Sequence, residues 1–185
     1  ADSVREESTS KEVTSQGVSG RAIAPSTWTA SSFPSILSGQ YPTTHCVWSF
    51  DDSLVKRPSL LSSSETFGMN AETIWKHLPP EKKPPFKMIG ANADEAIPLS
   101  DLDPPFVAVE HHKGGHLPYG YTFNEYTVPE FWDQEQPTLS DLRPLYEESV
   151  RTAEQRFLDA IKELKKRNIL KETLVIYTSD HGETF

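Results

Sequence analysis

The stretch Thr173-Leu174-Val175-Ile176-Tyr177-Thr178-Ser179-Asp180-His181-Gly182-Glu183 constrains this chain more than any other. A short apolar run, rich in β-branched residues and stopped by a glycine, predicts a buried central strand. It sets a carboxylate and an imidazole side by side just past the strand's carboxyl end, where ligands bind in open α/β sheets. Asp180 and His181 are ordinary ligands for a divalent cation. They serve equally as a strand-end Asp capping a turn beside an incidental His. This stretch alone leaves both readings open.

The rest of the chain bounds the partners. Its 185 residues are enough for one domain with a core, and four tryptophans and nine phenylalanines argue against disorder despite 15 prolines. A net charge of -9 disfavours nucleic acid and anionic membrane as partners, and an anionic substrate then needs a local cation or backbone amides. No apolar run reaches membrane-spanning length. The single cysteine excludes an intrachain disulfide and a cysteine-based zinc site. With no visible leader, this points to the cytoplasm. The chain opens abruptly on Ala1-Asp2-Ser3 and stops at Phe185, and it reads as a piece of a longer protein.

Several elements follow from pattern. Residues 1–20 are polar and predict a solvated segment or a short exposed helix, and 21–25 a short strand. Ala30, Phe33, Ile36 and Leu37 fall at helical spacing, with Thr29 as N-cap and Gly39 as stop. Pro34 then sits awkwardly inside, which predicts a kink or a later start. A Ser-rich loop follows, then a short helix from Ala71 to Leu78 and a proline-broken turn at 82–85. Strands are predicted at Phe86–Gly90 and Phe106–Val109, separated by an acidic loop. Residues 117–138 are irregular, and with 91–105 they are expected to shape the pocket. The strongest helix covers 141–167, with Asp141 as cap, Pro144 in the first turn and Asn168 as a left-handed stop. The closing strand–helix–strand order predicts an α/β fold with a mostly parallel sheet.

Each candidate site residue has a plain alternative. Thr29, heading a helix, meets the positive end of the dipole and free amides, where an alkoxide and an oxyanion are stabilised. As an N-cap it needs no further role. Its hydroxyl becomes a nucleophile only when a metal or base lowers its pKa, so its interest depends on Asp180 and His181. His111, His112 and His116 surround Lys113-Gly114-Gly115. They could ligate metal, protonate a leaving group or bind an anion, or simply form a polar loop. Lys113 could pair with a substrate oxygen. Asp2 alone is an acidic residue near a terminus. Cys46 reads as a small core residue, and Asp51-Asp52 as a turn.

Together these blocks resemble the sulfatase branch of the alkaline phosphatase superfamily. Trp28-Thr29-Ala30-Ser31-Ser32-Phe33-Pro34-Ser35-Ile36-Leu37-Ser38-Gly39-Gln40-Tyr41-Pro42 is similar to its nucleophile signature. Thr44-His45-Cys46-Val47 resembles the His-Gly-Val that follows, with Cys46 where Gly is usual. His116-Leu117-Pro118-Tyr119 resembles its His-x-Pro-Tyr, Leu174 to Glu183 its strand and Ser-Asp-His-Gly-Glu, and Asp2-Ser3-Val4-Arg5 its N-terminal metal motif. The order and spacing resemble those of archaeal sulfatase-like proteins.

The resemblance implies a three-layer α/β/α sandwich with a mostly parallel, mixed sheet. It implies a single catalytic domain over 1–185, truncated at its C-terminus and at its first strand. Asp2, Asp180, His181 and Thr29 would hold one or two divalent cations (Ca, Mg, Mn or Zn). Thr29 would be the nucleophile towards a small anionic sulfate or phosphate ester, His116 and His111 further catalytic residues, and Lys113 and His116 substrate-binding. Threonine cannot give the formylglycine aldehyde of sulfatases proper, and Phe33 replaces their motif's Arg, so no formylglycine is expected. The implied activity is ester hydrolysis through a covalent intermediate. A phosphotransferase and a catalytically silent metal- or anion-binding domain are the alternatives. With Cys46 in place of glycine, no positive φ is expected there.

Overall fold

The computed structural model describes residues 17–62, 66–71, 78–112, 114–117, 119, 133 and 136–182, apart from the side chain of Glu81. They fall into two compact units, one within Ala22–His112 and Thr178–Gly182, the other within Lys113–Tyr177.

The strand expected at residues 21–25 does not form, and Ile23 is exposed. Helix α1 (Thr29–Ser38) follows, N-capped by Trp28 rather than Thr29, and it runs through Pro34. It ends where expected, on left-handed Gly39, whose N–H bonds Ser35 O at 2.9 Å. Its buried face is Ala30 to Ser35, three serines included, while Ile36 is exposed. Those serines find partners locally. Ser35 Oγ donates to Ser31 O at 2.9 Å and lies 2.9 Å from His45 Nε2.

His45 closes the short helix α2 (Pro42–His45) and is itself buried. The Val47 N–H donates to His45 Nδ1 at 3.0 Å, so Nδ1 is an acceptor and Nε2 carries the proton towards Ser35. Val47 N–H, imidazole, Ser35 hydroxyl and Ser31 carbonyl thus form one relay tying α2 to α1. Burial holds the His45 pKa below its ordinary 6.5. Cys46 follows at φ 56°, in the left-handed region, and its N–H bonds Pro42 O at 2.9 Å. The expectation of no positive φ is therefore corrected. The local backbone is the one glycine suits, and the thiol is exposed, not in the core. Asp51-Asp52 is a turn as expected. Asp52 Oδ2 accepts the Trp48 and Ser49 N–H groups, each at 2.9 Å, and these two bonds lower its pKa.

After the short helix α3 (Ser59–Ser62) comes an unexpected strand, β1 (Thr66–Ala71). It pairs in parallel with β2 (Phe106–His111), in register from Thr66 opposite Phe106 to Ala71 opposite His111. The helix expected from Ala71 to Leu78 lies, but for its ends, outside the described residues, and Ala71 itself ends β1. Gly68 lets β1 lie close to its cover. A Cβ there would meet Ile97 O and Leu102 Cδ2, each at 2.7 Å.

Between the strands, the strand expected at Phe86–Gly90 is instead helix α4 (Pro84–Ile89). Pro84 and Pro85 preset φ for the first turn. Left-handed Gly90 ends the helix, with Gly90 N–H on Lys87 O at 3.2 Å and Ala91 N–H on Phe86 O at 2.9 Å. Phe86, Met88 and Ile89 join Ala30, Phe33, Val47, Phe67 and Met69 in one core, with Val107 and Val109 packed on it. The acidic segment between α4 and β2 carries two 3₁₀ turns, Ala93–Glu95 and Leu99–Asp101. Arg57 lies 5.2 Å over the Phe67 ring and forks onto both oxygens of Glu95, which fastens this segment to β1.

The second unit is built on α5 (Leu139–Lys166). It starts two residues before the expected point. Thr138 is the N-cap and Asp141 the third helical residue, in a reciprocal capping box. Asn168, at φ 60°, is the expected left-handed stop. Tyr119 and Leu142 are buried together beside Leu117, Leu145 and Tyr146. The segment expected as a buried central strand is the clearest departure. Leu174 is 86% and Ile176 76% exposed, and no strand includes them among the described residues. Tyr177 stacks on Phe157 at 4.5 Å. A strand is defined by its neighbours, and this stretch pairs with none in the described residues. Among those residues no helix is long and apolar enough to cross a membrane.

Two backbone constraints give opposite expectations. Cys46→Gly removes a left-handed β-carbon and raises stability by about 0.5–1 kcal/mol. Gly68→Ala forces a β-carbon onto the Ile97 carbonyl and costs about 1–3 kcal/mol. Urea unfolding checks both. His45 supplies a pH signature. Its folded pKa is depressed, so its contribution is fully present above the unfolded value of 6.5 and is lost as pH falls from there towards the folded pKa. His112, also depressed by burial, adds the same sign. The unfolding temperature should therefore drop as pH falls below about 6.5 in the natural chain, and drop less in His45→Gln.

Candidate functional site

Trp28 precedes α1 in an extended conformation, and its side chain provides no cap. Its carbonyl takes the Ser31 and Ser32 N–H groups at 3.2 and 3.0 Å. Fully buried Ser32 also clasps the approach to the helix. Its hydroxyl donates to Ser26 O at 2.9 Å and accepts the Ser26 N–H at 3.2 Å. The Trp28 ring stands edge-on to Phe50 at 5.2 Å. Thr29 is thereby fixed as the first helical residue. Its amide and that of Ala30 meet no acceptor among the described residues, which leaves donors at the positive end of the dipole.

His181 comes to this helix end. Thr29 Oγ1 lies 3.2 Å from His181 Nε2. On the ring's other side Nδ1 is 2.6 Å from Gly182 O. A carbonyl only accepts, so Nδ1 carries the proton, and in the neutral ring Nε2 is the acceptor for the Thr29 hydroxyl. Asp180 Oδ1 takes the His181 N–H at 3.0 Å. Asp180 Oδ2 is buried, has no hydrogen-bond partner among the described residues, and lies 3.7 Å from Nε2. Ser179 Oγ donates to the His181 carbonyl and tightens the turn.

An uncompensated carboxylate oxygen beside an imidazole lone pair and a hydroxyl fits a divalent cation in kind. Among the described residues no third His, Cys, Asp or Glu completes the set. Asp2, the further expected ligand, lies outside them, as does Lys113.

The expected histidines belong to different units. His111 ends β2, and its ring stands edge-on to Phe33 at 5.1 Å. Phe33 is one helical turn along α1 from Thr29, so His111 flanks the same helix. His112 Nε2 is 3.8 Å from Glu110 Oε2, which also accepts from Asn70 Nδ2 at 3.0 Å. Burial lowers the His112 pKa, and Glu110 opposes the shift. His116 belongs to the other unit and is exposed, with Nδ1 on the Leu117 carbonyl. Its turn is packed by an aromatic, since a Cβ on Gly115 would meet Tyr146 Cε2 at 2.5 Å. The Ser26–Ser32 clasp and the His45 relay were not anticipated. The signal for both was a run of serines on the helix face that the apolar pattern turns inward.

The sulfatase family model matches residues 66–185. The chain is 39% identical over 186 residues to the Low-salt glycan biosynthesis sulfotransferase Agl7 of Haloferax volcanii, an alignment covering 99% of this chain. The chain spans 45% of that relative's length. The alignment takes in the segment around Thr29, which precedes the span of the family match. No solved structure matches the chain. The chain is a member of the sulfatase family.

Proposed function

We propose that this chain carries the nucleophile and part of the cation site of an enzyme that transfers a sulfo or phosphoryl group from a small anionic ester through Thr29. In this reading 1–185 belongs to a single catalytic domain of three-layer α/β/α architecture. The observation that supports it is the meeting of Thr29 Oγ1 with His181 Nε2, 3.2 Å apart across 152 residues, beside the uncompensated Asp180 Oδ2.

Asp180 through Oδ2, His181 through Nε2 and Asp2 would hold the cation. A divalent cation there supplies charge that acidifies a hydroxyl and neutralises the oxygens of the group transferred. The chain's own residues supply the rest. Gly182 O fixes the His181 tautomer, so the Nε2 lone pair is turned towards the cation's position, beside the Thr29 hydroxyl. The Thr29 hydroxyl, acidified there, gives its proton to solvent, and Oγ1 forms a bond to sulfur or phosphorus as the bond to the ester oxygen breaks. The departing oxygen takes up a proton, a task for His116 and His111, and Lys113 and His116 bind the substrate's oxygens. The free amides of Thr29 and Ala30 face developing negative charge. In the second half, an acceptor hydroxyl attacks the Thr29 ester, loses its proton and regenerates the threonine. Water as acceptor gives a hydrolase. An alcohol gives a transferase, the reading that the relative's name favours.

Two results test this on the complete protein. Thr29→Ala should abolish turnover of p-nitrophenyl sulfate and p-nitrophenyl phosphate while changing stability by no more than about 1 kcal/mol, as for one helix-end residue. Unchanged turnover would remove Thr29 from the chemistry. A sugar alcohol that diverts product from free sulfate or phosphate to a new ester identifies the transferase. Separately, Asp180→Asn should match or exceed the natural chain in thermal stability without metal, because it neutralises an unpaired buried charge. It should also lose the rise in unfolding temperature that Mn²⁺ or Ca²⁺ gives the natural chain. An equal metal-induced rise in both would place the cation elsewhere.

A further inference from the structure

We propose that the cleft at the carboxyl end of β1 binds a small organic anion, an acidic oxygen head on a flat apolar body. The cleft encloses about 250 Å³ and is lined by Met69, Asn70, Ala71, Pro80, Lys83 and Phe86, among others. Neither Thr29, Asp180 nor His181 lines it, so it is separate from the site described above. Its position suits a ligand. Met69, Asn70 and Ala71 are the last residues of a parallel strand, and open α/β sheets receive ligands at that end.

The lining dictates the chemistry. Met69, Ala71 and Phe86 are buried and belong to the core, so the floor is rigid and apolar. Pro80 adds a flat wall. Lys83 is half-buried, and among the described residues no carboxylate or hydrogen-bond acceptor meets its ammonium. An ammonium has three donors and no acceptor, and in a chain of net charge -9 one that meets no acceptor among the described residues beside an apolar floor stands out. Its methylene stem can lie along that floor while its head meets an anion. One cation, two or three apolar surfaces and a volume below the usual range for drug-sized ligands select a single-ring monoanion.

Carboxylate and sulfate heads share this chemistry, so the test carries both. The full chain is titrated with benzoate, phenyl sulfate and uncharged benzyl alcohol, and followed by backbone amide NMR. The expected result is saturable shifts at Asn70, Ala71 and Lys83 with at least one anion, and binding of benzyl alcohol at least tenfold weaker. Lys83→Met keeps the stem and removes the charge, and should weaken the anion at least tenfold. Lys83→Arg should restore most of the affinity. Preference for benzoate or for phenyl sulfate assigns the head group. Shifts that fail to saturate with either anion, shifts confined to the Thr29–His181 region, or equal binding by Lys83→Met overturn the proposal. The readout needs no turnover, so it stands or falls apart from the chemistry at Thr29.

Discussion

The hydrogen bond between Thr29 Oγ1 and His181 Nε2 joins residues 152 positions apart, and the candidate chemistry depends on it. Closing a loop of that length costs on the order of 4–5 kcal/mol in chain entropy. The bond returns about 0.5–1.5 kcal/mol. It therefore cannot assemble the site, and it persists because the surrounding fold has already set the hydroxyl in place. The helix end that presents Thr29 is fixed from three sides: the Ser26–Ser32 clasp before it, the His45 relay along it, and the core beneath Ala30 and Phe33. Polar groups do this work inside a buried helix face. Each is satisfied, and the relay gives His45 a single tautomer and Ser35 a single orientation.

What could be read in the sequence follows how local the determinant was. Gly39 and Asn168 are legible as helix stops because a left-handed residue is a property of one position. Phe106 to Val109 is legible because four consecutive apolar residues leave few choices. Segment 86–90 was not, because Phe-Lys-Met-Ile fits both periods, and the deciding signals were the prolines before it and the glycine after it. β1 was hidden for the opposite reason. Gly68 and Asn70 are poor strand formers, and what makes Gly68 the right residue is the Ile97 carbonyl and the Leu102 side chain, 29 and 34 positions away. Leu174 to Tyr177 carries every local sign of a strand, yet Leu174, Ile176 and Tyr177 are exposed and no ladder includes the segment among the described residues. Propensity proposes a strand, and only a neighbour makes one.

The site was legible to a similar degree. Asp180-His181 stood out because two donor types sit side by side after an apolar run. Thr29 stood out because it heads a helix. That the two meet is invisible to any local reading, and so is Asp180 Oδ2, buried without a hydrogen-bond partner among the described residues. Cys46 shows the reverse error. A non-glycine residue was taken to relax the backbone requirement, whereas the α2 end keeps φ at 56° and the cysteine bears the strain.

A threonine nucleophile also bears on which acceptor completes the reaction. The hydrated aldehyde of formylglycine can expel its sulfate by collapse of its second hydroxyl, and threonine has no second hydroxyl. An ester on Thr29 must leave by attack at sulfur or phosphorus, so the attacking molecule is chosen by whatever occupies the space opposite Thr29 Oγ1. Hydrolase and transferase then differ in one property, the exclusion of water from that space, and not in the residues that activate Thr29. In the proposed reading the same Thr29–His181–Asp180 arrangement would serve both outcomes. The name of a relative and membership of the sulfatase family are for this reason compatible under the proposed function: both would share the first half of the chemistry, and the walls of the acceptor side would decide the second.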